Sequence, residues 1–170
     1  IFNLLLDKGA DINTQGGYYS NALQTASQRG HQEIINLFLD KEVDVNAQGG
    51  FYSNALQATS QGGFQNIVNL LLNRGSDVNT QGGFYSNALY TTSQKGHQEI
   101  VNLLLDKRAD VNAQGGRYGN ALQTTSQRGR QDIVHLLQRA GAIPSSLKKP
   151  CSVPPRSLAE KSHFKTFSEF

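Results

Sequence analysis

Apolar residues in this chain gather in short stripes separated by long polar intervals. Residues 31–41 read "HQEIINLFLDK", in which Ile34, Ile35, Leu37, Phe38 and Leu39 form a broad apolar stripe at helical spacing. Glu33 falls in the first turn of this predicted helix, as Glu99 and Asp132 do in its later copies, where a negative charge suits the helix dipole. The preceding stretch, "SNALQTASQRG" at 20–30, predicts a shorter helix. Asn21 is its N-cap, because its side-chain oxygen can accept a bond from an orphaned helix N–H. Gln24, three residues on, can reach back in the manner of a capping box. Gly30 ends the helix in the left-handed conformation that glycine takes without steric cost. After the apolar stripe comes "DVNAQGGFY", with no helical period and a glycine pair, which predicts an extended arm with a tight turn.

This unit recurs. Asn13, Asn46, Asn79 and Asn112 are spaced 33 residues apart, as are Leu23, Leu56, Leu89 and Leu122, and Gly30, Gly63, Gly96 and Gly129. The capping pair returns as Asn54 with Gln57 and Asn120 with Gln123, while Tyr90 breaks it in the third copy. "QGGFYSNAL" stands unchanged at 48–56 and 81–89, with close relatives at 15–23 and 114–122. A phosphate-binding loop needs Lys-Ser/Thr opening a helix and follows a buried strand. Gly49-Gly50 has neither and returns in every unit, so it is read as a turn.

Helix, turn, helix and projecting hairpin every 33 residues resemble the ankyrin repeat. The residues that carry the resemblance are "GHQEIINLFLDK" and "GHQEIVNLLLDKRADVNA", similar to that family's second helix and following loop. "QGG.Y.NAL" resembles a variant found in large fungal ankyrin proteins, including the repeat arms of NACHT-type, NLR-like receptors. The fold implied is an all-α solenoid, an ankyrin-type helix-turn-helix stack with projecting β-hairpin loops. Residues 1–19 are expected to form a partial repeat, 20–143 four helix pairs, and 144–170 a disordered basic tail with serines and prolines. Ile1 and Phe2 align with Ile34 and Ile35, so the chain is read as beginning inside a unit, the C-terminal piece of something longer. Gln138 stands where Leu39, Leu72 and Leu105 stand earlier, the polar outer face expected of a last repeat. "NALQ" replaces the family's Thr-Pro-Leu-His. Glu42 and Arg108 stand where Gly9, Gly75 and Gly141 stand elsewhere; if that site needs a positive φ, each costs about 1 kcal/mol.

Composition narrows the function. Apolar content is 37% and no run of 18 apolar residues occurs, so no membrane-spanning helix is expected. The N-terminus lacks the pattern of a signal peptide. One cysteine, Cys151, and no glycosylation sequon fit an intracellular, cytoplasmic setting, with a nuclear one left open. The pI of about 9.1 arises in the tail. There, five basic residues against Glu160 and Glu169 account for the whole net charge of +3. Residues 1–144 are neutral in sum, which disfavours nucleic acid as the partner.

No catalytic, cofactor-binding or metal-binding set emerges. His31 and His97 share a position that Phe64 and Arg130 occupy in other units, a swap that a helix start tolerates and a metal site does not. Cys151 has no partner histidine at a telling distance, and the acidic residues recur singly. The chain is therefore read as non-enzymatic, with no small-molecule substrate. The resemblance implies that hairpin tips and first helices line a concave face where another protein binds. Mapped onto this chain, the tips are Tyr18-Tyr19, Phe51-Tyr52, Phe84-Tyr85 and Arg117-Tyr118, with Gln24, Gln57, Tyr90 and Gln123 adjoining them. Tyr18, Phe51, Phe84 and Arg117 vary between copies and are assigned selectivity, since aromatic and arginine side chains anchor interfaces. Tyr19, Tyr52, Tyr85 and Tyr118 are expected to brace each hairpin against the next. Alternatives are packing between tips alone, a spacer or self-associating array, binding of nucleic acid or an acidic surface through the tail, and a decaying duplicate. Upstream domains in the same chain complete the expectation.

Overall fold

The computed structural model describes residues 8, 11–18, 20–41 and 43–144. Eight helices lie among them: α1 (Ala22–Arg29), α2 (Gln32–Leu39), α3 (Ala55–Gly62), α4 (Gln65–Asn73), α5 (Ala88–Lys95), α6 (Gln98–Asp106), α7 (Ala121–Gln127) and α8 (Gln131–Arg139). They pair as α1/α2, α3/α4, α5/α6 and α7/α8, and the pairs stack in chain order. The odd-numbered helices pack on one another as one layer, and α4, α6 and α8 form the second. The partial repeat expected before residue 20, the disordered tail after 144 and the Glu42 departure fall outside the described residues or straddle their edge.

Each odd helix starts as its sequence dictates. Asn21, Asn54, Asn87 and Asn120 cap α1, α3, α5 and α7 by accepting the N–H of the residue three along, at 2.7–2.8 Å. The core runs through both layers. Leu23, Leu56, Leu89 and Leu122 meet Ile35, Val68, Val101 and Val134, each at most 8% exposed. These are the 33-residue columns of the sequence, seen from the side.

The capping box is corrected. Gln24 and Gln57 do not reach back to their caps. The side-chain Nε2 of Gln24 donates forward to Ala47 O (3.2 Å) and Ser53 O (3.1 Å), in the loop of the next unit. Gln57 Nε2 does the same to Thr80 O (3.3 Å) and Ser86 O (3.4 Å). The reason is where the unmet need lies. A loop carbonyl pressed against the next helix layer has no water to bond to, and the glutamine amide is the donor within its reach.

A second clamp runs along the other edge of the stack. Asn46 Nδ2 donates to Gly75 O (3.0 Å) while its Oδ1 accepts from Asp77 N–H (2.8 Å). Asn79 repeats this on Arg108 O and Asp110 N–H, and Asn112 on Gly141 O and Ile143 N–H. The carbonyl that each asparagine reaches belongs to a residue with positive φ: Gly75 (89°), Arg108 (65°) and Gly141 (92°). Arg108 is thus a non-glycine residue in the left-handed region, as its place in the pattern implied.

The hairpins are short turns, not strands, among the described residues. They close through Gly49 N–H to Ser53 O (2.7 Å) and Gly82 N–H to Ser86 O (2.8 Å), each an isolated antiparallel bridge. Consecutive tips then join by backbone bonds, Phe51 N–H to Tyr18 O (3.0 Å) and Phe84 N–H to Phe51 O (2.9 Å). Gly83 shows why the glycine pair is needed. Its φ is +64°, and a Cβ there would lie 2.7 Å from Phe51 O of the preceding tip.

Two stability changes are expected in urea titrations. Gln57→Ala removes two buried bonds and leaves a cavity, costing about 2–4 kcal/mol, while Gln123→Ala, half-buried with no unit described beyond it, costs well under half of that. Arg108→Gly relieves the positive φ and raises stability by about 1 kcal/mol. A Gln57→Ala midpoint equal to that of Gln123→Ala would sink the clamp.

Candidate functional site

The tips place the first aromatic of each hairpin in a file along one edge. Tyr18 and Phe51 stack with ring centroids 5.0 Å apart and planes 18° apart, and Phe51 and Phe84 stack at 5.0 Å and 15°. Such offset pairs contribute about 0.5–1.5 kcal/mol each beyond the area they bury. Stacking leaves their outer edges in solvent. Tyr18 is 61% exposed and Phe84 64%, and Phe51 between them is half-buried. Arg117 takes the fourth place, exposed, with its guanidinium 5.7 Å from the centre of the Tyr118 ring.

The second tip residues lie deeper. Tyr52 is buried, Tyr85 and Tyr118 are half-buried, and the Tyr52 and Tyr85 rings stack at 6.2 Å. Phe51 meets Tyr52 and Tyr85 edge-on, and Phe84 meets Tyr85 in the same way. Burial pushes the Tyr85 phenol above its ordinary pKa of 10.0, with the neighbouring Tyr18 and Tyr90 adding to the rise and Arg128 opposing it. Tyr19 lies outside the described residues.

The first-helix residues assigned to the same face are corrected. Gln24 and Gln57 are wholly buried and Tyr90 is 2% exposed, so none of the three offers a surface. Tyr90 stands where its equivalents are glutamines and also ties its helix to the next hairpin, but as an acceptor where they donate. Its hydroxyl accepts the Tyr118 N–H at 3.3 Å, in the next hairpin. Gln123 is half-buried and borders a cavity of about 280 Å³ with Tyr118, Leu122 and Pro144.

The histidine position has a packing role. His97 Nε2 lies 3.3 Å from Gln61 O of the preceding unit, and Arg130 Nε donates to Gln94 O at 3.3 Å. Phe64 fills the same place by packing over Gly30, where an added Cβ would meet its ring at 2.6 Å. Imidazole, phenyl and guanidinium all cover the glycine that ends the previous first helix. Among the described residues no group of His, Cys, Asp or Glu is arranged to hold a metal ion, and no helix is long and apolar enough to cross a membrane.

Sequence reasoning missed Lys95 and Arg128. These residues end α5 and its successor α7, one unit apart, and both are exposed. With Phe84, Tyr85, Arg117 and Tyr118 they line a cavity of about 210 Å³ between the tips and the helix ends. The signal was present in the 33-residue register, where Arg29, Lys95 and Arg128 form one column with Gly62.

The family model for ankyrin repeats (three copies) matches residues 1–82 and 55–146. This chain belongs to the ankyrin repeat family. Ankyrin repeats are generally protein–protein interaction modules and typically non-enzymatic. No curated protein matches the chain.

The upward shift at Tyr85 favours the neutral phenol in the folded chain. Its stabilising contribution is therefore complete below pH 10 and is lost as pH rises through the higher folded value. Alkaline titration followed by phenolate absorbance is expected to lose one of its highest-pH steps in Tyr85→Phe, and the loss of an ordinary step near pH 10 would contradict the burial argument.

Proposed function

We propose that this ankyrin repeat array is a protein-recognition arm whose contact edge is the file of hairpin tips. The observation that carries the reading is the exposure of Tyr18 and Phe84 in a row that backbone bonds hold rigid. Aromatic side chains in fixed rotamers bury much area with little entropy to lose, which is what an interface anchor requires. Phe51 and Arg117 complete the selectivity set. Tyr52, Tyr85 and Tyr118 brace the tips from beneath, with Tyr19 assigned the same role by its place in the repeat. The partner is another protein lying along the concave side.

The favoured setting is the arm of a larger intracellular, cytoplasmic protein whose other domains act on what the arm captures. The likeness of "QGG.Y.NAL" to the arms of fungal NLR-like receptors supports a receptor of that kind. In such a receptor, capture would release a nucleotide switch in another domain.

Peptides selected from a random display library against the full chain provide the test. Binders to the tip edge are expected to lose about 2 kcal/mol, or roughly thirtyfold in Kd, on Tyr18→Ser/Phe84→Ser, with the helical circular dichroism unchanged. Selected peptides that bind this variant as tightly as the parent, or a selection that enriches nothing, would favour a spacer instead.

A further inference from the structure

The charge of residues 1–144 cancels in sum but not in space. The four tip-plus-first-helix segments, 15–32, 48–65, 81–98 and 114–131, hold no acidic residue. They carry Arg29, Lys95, Arg117, Arg128 and Arg130. All eleven acidic residues of 1–144 lie in the second-helix and loop segments, beside six basic ones. The solenoid is thus cationic along one side and acidic along the other, a separation that a sum over the chain conceals.

The cationic side has a focus. The 210 Å³ cavity between tips and helix ends is lined by Lys95, Arg117 and Arg128 together with Phe84, Tyr85 and Tyr118. No acidic side chain lines it. The ion pair seen among the described residues joins Arg74 to Asp40 at 3.5 Å, both outside those four segments. None of the three cations at the cavity has an acidic partner among the described residues. Like charges gathered without counter-charge raise the local concentration of anions and favour a carboxylate that can bridge them. The volume is below the roughly 300–1,000 Å³ of a cofactor or drug-sized site and suits one or two side chains of a longer ligand.

We propose that this cavity is a carboxylate-binding pocket, and that the partner of the array presents an extended acidic peptide segment there. The segment runs along the groove between tips and first helices, with an Asp or Glu held by Lys95, Arg117 and Arg128. Apolar or aromatic residues beside it pack against Phe84. The inference rests on the recognition-arm reading and specifies the chemistry of its partner.

Single-stranded nucleic acid is the competing anion, and the tips argue against it. Binding by base stacking needs aromatic faces open to the bases. Here both faces of Phe51 are covered, by Tyr18 and Phe84, so bases cannot intercalate along the file. Three cations at one cavity also fall short of the extended backbone track that a nucleic-acid groove uses.

The test is fluorescence anisotropy with the full chain and three labelled probes: a peptide alternating Asp and Tyr, its Asn counterpart, and a single-stranded oligonucleotide of equal charge. The Asp peptide is expected to bind, to weaken as salt rises, and to lose about tenfold or more on Lys95→Ala/Arg128→Ala. Arg74→Ala/Lys107→Ala, which removes the same charge from the opposite side, is expected to change Kd by less than about twofold. Equal binding of the Asp and Asn peptides overturns the proposal, as does equal loss in the two double variants or tighter binding of the oligonucleotide. Library peptides that depend on Tyr18 and Phe84 but prove neutral would sink the acidic partner while leaving the recognition arm standing.

Discussion

The fold depends on side-chain amides that reach out of their own unit. Every unit of a stacked array leaves loop carbonyls and N–H groups facing the next unit, and those groups need partners there. Here Asn46 and Asn79 each grip one carbonyl and one N–H of the following loop, and Gln24 and Gln57 each grip two carbonyls at the following hairpin. Hydrophobic columns can slide in register along their axis. An amide held at two points cannot, whether an asparagine meets a carbonyl and an N–H or a glutamine NH2 group meets two carbonyls. These clamps turn four similar helix pairs into one geometry.

The surface follows from the clamps. With the hairpins held from beneath by Gln24, Gln57 and Tyr90, successive tips approach closely enough to share backbone bonds, and glycine at position 83 admits that approach. Side chains at the first tip position then have nowhere to go but over one another and outward. The exposed aromatic file is thus a consequence of inter-unit bonding. Packing between tips and availability to a partner, which read as alternatives in the sequence, are the same arrangement seen from two sides.

Much of this was legible because repetition averages out local ambiguity. The 33-residue period, the asparagine caps and the apolar columns all appear in the structure as read. What was not legible were contacts between residues 23 to 31 positions apart, since a capping box and an inter-unit clamp ask for the same glutamine at the same place. Tyr90 held the clue: tyrosine cannot form a capping box, yet it sits in the column, so the column serves something else. Ser20, Ser53 and Ser86 held another. All three take positive φ, from 71° to 76°, and Gly119 in the fourth copy marks the position as left-handed. Net charge misled for a simpler reason, since a sum over 144 residues ignores that each unit has two sides.

That two-sidedness bears on what kind of recognition the array can support. Aromatic tips alone would bind apolar surface with little preference, and isolated cations would attract any anion. Placing Lys95, Arg117 and Arg128 around a cavity that Phe84 also lines couples the two demands at one site. A ligand must then present charge and apolar area in a fixed order to satisfy both, and a ligand lacking either leaves a desolvated cation or an uncovered ring. Selectivity of this sort needs a rigid frame, because a tip that could swing would let the two contacts be met separately. The amide clamps supply that frame, and the order in which charged and aromatic columns repeat along it sets the sequence a partner must carry.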